Sequence, residues 1–91
     1  MTVDRADRIR GSLLAGAIGD ALGAGIEFSS LDEIEERFGP GGAETFTPGY
    51  GRDAPITDDT QMTLFTAEGL SEASENGTDP VSTVWDAYRR W

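Results

Sequence analysis

Four consecutive residues, Thr57-Asp58-Asp59-Thr60, are the strongest local sign of chemistry in this 91-residue chain. Two adjacent carboxylates stand between two hydroxyls where a loop meets a helix-forming run. The first residue of such a junction is not yet helical, so neighbouring side chains can splay around one point. Oxygen ligands carrying two negative charges suit magnesium. The same residues also suit a plainer task. Asp and Thr are favoured helix caps, and carboxylates in a first turn complement the helix dipole. Capping is the commoner use, but one cap residue suffices, and this stretch offers several. Chemistry alone leaves both readings open.

A second group is Gly19-Asp20-Ala21-Leu22-Gly23, followed by Glu27. Asp20 interrupts an apolar helix on its Ile9 and Leu13 side. A carboxylate in such surroundings must be hydrogen-bonded, paired or neutralised. A structural Asp that binds backbone groups of a neighbouring segment is the favoured reading. Glu27 follows Gly23-Ala24-Gly25 just past the helix end. It sits on a turn, where it can point into a cleft or simply meet water.

Absences narrow the chemistry further. There is no Cys and no His, so thiolate chemistry, zinc–sulfur sites and imidazole bases are excluded within the chain. Any metal held here is hard and oxygen-loving: magnesium, manganese or calcium. Asp53 to Thr60 does not match a calcium loop, which needs Gly at its sixth position and Glu at its twelfth. Gly23-x-Gly25 follows a helix rather than a strand, so it is no dinucleotide fingerprint. Seventeen acidic residues face seven basic ones, a net charge of −10. Such a surface repels phosphate backbones and argues against nucleic acid as a general partner. No apolar run is long enough to span a bilayer. Asp4 and Asp7 stand where a signal peptide needs positive charge, so the expected location is cytoplasmic.

The elements that must position these residues read as four helices, with no strand and no internal repeat. The first runs from about Asp4 to Gly23. It carries apolar stripes at Leu14, Ile18, Leu22 and at Ile9, Leu13, Ala17. A third stripe of small residues, Ser12, Gly16, Gly19 and Gly23, predicts close approach of another backbone. A helix this apolar on every side is usually enclosed. Ser30 to Phe38 predicts a short second helix with a capping box at Ser30 and Glu33. Gly39-Pro40-Gly41-Gly42 ends it, and a long Gly- and Pro-bearing loop reaches Ile56. The third helix is expected from Thr57 to about Ser74, with Met62, Phe65 and Gly69 on one face. The fourth opens at Asp79 as N-cap with Pro80 at its first position. Val81, Val84, Trp85, Tyr88 and Trp91 line one side of it and read as core packing. Arg89 and Arg90 read as C-terminal helix charge or a solvated edge.

Three stretches taken together resemble a known family. They are Arg8 to Gly23 (RIRGSLLAGAIGDALG), Glu27-Phe28, and Ile56 to Thr63 (ITDDTQMT). Their order and spacing resemble the ADP-ribosylglycohydrolases, which include the dinitrogenase reductase-activating glycohydrolases. The resemblance spans nearly the whole chain. It implies an all-α fold with a two-magnesium centre at the base of a cleft. It implies Thr57, Asp58 and Asp59 as the first group of metal ligands and Glu27 as the acidic residue approaching the metals or the substrate ribose. It implies a structural role for Asp20. The implied reaction is cleavage at C1″ of ADP-ribose, from a modified protein or a small ADP-ribose conjugate. The family also carries a second acidic motif of Asp-x-Asp-Thr type towards its C-terminus, and nothing after Thr60 supplies it. Residues 1–91 are therefore expected to be the incomplete N-terminal part of one such domain, with the second metal site unfinished and no activity alone. Two other functions compete: a non-catalytic module binding ADP-ribose or a nucleotide, and a small acidic helical interaction protein.

Overall fold

The computed structural model describes residues 2–91, and among them the expected four helices form: α1 (Arg5–Ala24), α2 (Leu31–Phe38), α3 (Asp58–Asn76) and α4 (Pro80–Arg89). The fold class is all-α. The only extended pairing among the described residues is an isolated bridge between Gly49 and Arg52. No helix among the described residues is long and apolar enough to cross a membrane.

Local signals explain the helix ends. The Asp4 side chain accepts from the Asp7 amide at 2.8 Å and caps α1. Ser30 accepts from the Glu33 amide at 3.2 Å, half of the expected capping box. Asp79 accepts from the Ser82 amide at 3.1 Å ahead of Pro80. Each bond satisfies an amide that has no partner inside its helix. α3 runs two residues beyond Ser74, to Asn76. It ends where Gly77 turns left-handed (φ 65°) and the Thr78 amide reaches back to the Ala73 carbonyl at 3.1 Å. That closure is a Schellman-type stop, which needs the glycine rather than the asparagine before it.

The chain divides into two compact units, Met1–Thr57 and Asp58–Trp91. In the second unit α3 packs on α4. Gly69 makes this possible, since a Cβ there would lie 2.8 Å from Val84 Cα and 3.2 Å from Ala87 Cβ. Ala73, Thr83 and Ala87 are buried with it. Thr66 and Tyr88 share a hydroxyl–hydroxyl bond of 2.5 Å, and Phe65 stacks on Trp91 at 6.2 Å. Arg90 lies within 3.2 Å of Glu68 and 3.1 Å of Glu72, tying the end of α4 to α3.

One expectation about α4 is corrected here. Val81 is 78% exposed and Trp85 62% exposed, so that part of the aromatic stripe is not core. The reason is the small-residue contact. α4 presents Val84 and Ala87 to Gly69, whose missing side chain lets the backbones come so close. Val81 and Trp85 instead line an open apolar groove with Leu70 and Pro80.

In the first unit α1 and α2 do not pack on one another. Ala21 and Ala24 at the end of α1 are buried, whereas Ile9, Leu14 and Ile18 are exposed. The small-residue stripe also differs from expectation. Nothing lies within 4 Å of a Cβ added at Gly16, Gly19 or Gly23. Close approach occurs one step later, at Gly25. A Cβ there would meet the Thr47 carbonyl at 2.5 Å and the Pro48 carbonyl at 2.7 Å.

This contrast makes a prediction of opposite signs. Gly25→Ala forces backbone apart and should destabilise the chain by about 1–3 kcal/mol. Gly16→Ala meets open space in a helix interior and should stabilise it by up to about 1 kcal/mol. Chemical denaturation of both variants checks this, and equal shifts for the two would refute the contact.

Candidate functional site

The turn after α1 is built from the Gly25 contact outward. Residues 25–28 form turns, with the Ile26 amide bonded to the Gly23 carbonyl at 3.1 Å and the Ser29 amide to the Ile26 carbonyl at 3.0 Å. Against Gly25 lies Gly49, where a Cβ would stand 3.1 Å from Gly25 Cα. Two glycines thus let the end of α1 and the 47–49 segment touch backbone to backbone. Glu27 is exposed on this turn. The Tyr50 hydroxyl donates to Glu27 Oε1. Sequence reasoning placed Glu27 on a turn and passed over Tyr50. The available signal was Gly49-Tyr50-Gly51, whose flanking glycines mark a tight turn within the loop.

Asp20 has the structural partner expected of it. Its Oδ2 accepts from the Thr57 amide at 2.7 Å and its Oδ1 accepts from the Thr57 hydroxyl at 2.7 Å. The partner segment is the last residue of the same unit, and it is one of the sequence-predicted metal ligands. Both oxygens of one carboxylate are therefore engaged by a single buried threonine. The bond from its hydroxyl matters chemically. A hydroxyl has one proton and two lone pairs. With the proton directed to Asp20, what Thr57 Oγ1 offers to anything else is lone-pair density.

Asp58 and Asp59 open α3 in the second unit, and both are exposed. They add negative charge at the positive end of the helix dipole, a favourable placement whether or not a cation is present. The Asp59 carbonyl accepts from the Thr63 hydroxyl at 2.9 Å. Among the described residues no three acidic side chains gather into a group that could hold a metal ion. The donors in this stretch are two carboxylates and a threonine hydroxyl, hard oxygen throughout.

The sequence comparisons agree with one another. The family model for ADP-ribosylglycohydrolase matches residues 1–91. The chain is 38% identical over 91 residues to the ADP-ribosyl-[dinitrogen reductase] glycohydrolase of Rhodospirillum rubrum, covering 93% of this chain and 28% of that protein. It is 35% identical over 82 residues to the uncharacterized protein YegU of Escherichia coli K12, covering 84% of this chain and 24% of that protein. The chain thus spans about a quarter of the length of these two relatives. No solved structure matches it. Because the family pattern runs through every residue from the chain start to the end of α4, the chain belongs to the ADP-ribosylglycohydrolase family.

Proposed function

We propose that this chain supplies part of a magnesium-dependent hydrolase of the cytoplasm that releases ADP-ribose from modified proteins or small ADP-ribose conjugates. One observation carries the reading: the 38% identity to a relative whose name gives it an ADP-ribosylated protein as substrate. Thr57, Asp58 and Asp59 fit magnesium in ligand type, since it takes oxygen donors and keeps several waters. Held by these residues, magnesium would supply Lewis-acid polarisation of the reacting centre. The chain's own residues do the rest. Asp20 holds the Thr57 hydroxyl with its proton directed to the Asp20 carboxylate, which would leave lone-pair density for a cation. Glu27 takes a proton from water as the water oxygen bonds to C1″, and the bond from C1″ to the acceptor's nitrogen or oxygen breaks with its electron pair left on that atom, which takes up a proton as the acceptor departs.

The test is release of ADP-ribose from an ADP-ribosylated arginine peptide by the intact protein. Release that EDTA abolishes and magnesium restores is the expected result. Tight, metal-independent binding of ADP-ribose without turnover would favour the binding module instead. Neither binding nor turnover would favour the small acidic interaction protein.

A further inference from the structure

The 49–52 segment is a tight two-residue turn. The Gly49 amide donates to the Arg52 carbonyl at 3.0 Å, and the Arg52 amide donates back to the Gly49 carbonyl at 2.9 Å. Both central residues have positive φ, 51° at Tyr50 and 74° at Gly51, the signature of a type I′ turn. Glycine is at ease there. Tyrosine is not, and Tyr50 is the only residue other than glycine with positive φ among those described. Such a conformation is unfavourable for a residue with a Cβ and persists where the surroundings over-determine it.

Burial of the ring does not explain it, because Tyr50 is 61% exposed. Two contacts do hold the turn in place. One is the backbone contact of Gly49 with Gly25, which sets the turn beside the end of α1. The other is the bond from the Tyr50 hydroxyl to Glu27 Oε1, two residues beyond Gly25. A left-handed residue is thus used to aim a phenol at an exposed carboxylate. An exposed Glu side chain otherwise samples many rotamers, and ordering it removes entropy that a reaction would have to supply.

We propose that Tyr50 is a positioning residue, whose hydroxyl holds the Glu27 carboxylate in one orientation before substrate arrives. The proposal rests on the reading of Glu27 as the residue that acts at C1″. Tyr50 itself forms no bond to the reacting atoms. Its hydroxyl donates to one carboxylate oxygen, Oε1.

The test combines a spectroscopic signature with kinetics. In the intact protein, the difference between the ultraviolet resonance Raman tyrosine doublets of wild type and Tyr50→Phe isolates the Tyr50 contribution. The doublet should show a strong hydrogen-bond donor and should change on Glu27→Gln. Kinetics of ADP-ribose release by the intact protein should then separate the roles. Tyr50→Phe should lower kcat roughly tenfold with KM nearly unchanged, a part of the 10²–10⁴ that a general base contributes. Glu27→Gln should show the larger loss. A doublet indifferent to Glu27→Gln overturns the proposal. Normal turnover by Tyr50→Phe beside a disabled Glu27→Gln overturns it too, while leaving the role of Glu27 intact. Normal turnover by Glu27→Gln removes the reading beneath it.

Discussion

Asp58→Ala and Asp59→Ala should each lower the rate of ADP-ribose release at least about a hundredfold while leaving the helices in place. Both side chains are exposed in the first turn of α3, so removing either leaves no cavity. As helix charges alone, each contributes about 0.3–1 kcal/mol, a shift of a few degrees in melting temperature. A hundredfold loss of rate corresponds to about 2.7 kcal/mol in the barrier, well beyond what a lost dipole contact explains. The decisive comparison is therefore activity against melting temperature in the same samples. Asp53→Ala, in the exposed loop before the motif, is the control and should be silent in both. Activity at the wild-type level in both α3 variants would leave the two aspartates as helix-start charges and would end the metal assignment.

Asp20→Ala should behave the other way, losing stability first. Its carboxylate accepts two bonds of 2.7 Å from Thr57 across 37 residues of chain. Hydrogen bonds to a charged group contribute about 1.5–3 kcal/mol each, and an amide left without its acceptor adds a desolvation cost. The expected loss is at least about 3 kcal/mol, or upwards of roughly 15 °C in melting temperature for a chain of this size. Thr57→Val removes the hydroxyl bond and keeps the amide bond, so it should cost about half as much. The double variant should be less destabilised than the sum of the singles, because both changes delete the same contact. Strict additivity would mean that Asp20 and Thr57 do not depend on each other. Asn at position 20 can accept only one of the two bonds well, so Asp20→Asn should fall between wild type and Ala.

Much of the fold was legible because its signals are local. Asp4, Ser30 and Asp79 sit one residue ahead of their helices and cap them as their types predict. Pro80 begins α4 because its missing amide costs nothing at that position. Failures occurred where a local pattern had two physical solutions. The stripe Val81, Trp85, Tyr88 has the spacing of a core face, but spacing does not say which neighbour arrives. Gly69 accepts the backbone of α4 at Val84, and this turns Trp85 outward. The glycines of α1 similarly mark where an approach is permitted; the approach itself happens at Gly25.

The candidate site divides along the same line. The residue types of Thr57-Asp58-Asp59 and the absence of Cys and His determine, without any structure, that chemistry here is oxygen chemistry. Helix starts, caps and the family pattern are likewise written in consecutive residues, since a helix satisfies its amides within four positions. Only the tertiary structure decided that Asp20 serves Thr57 and that Tyr50 serves Glu27. Those partners are 37 and 23 residues apart, and the second pairing needs a tyrosine in a left-handed turn beside two touching glycines. A hydrogen bond between distant side chains leaves no periodicity in the sequence. It depends on how the backbone between them closes, and that closure is a property of the folded chain alone.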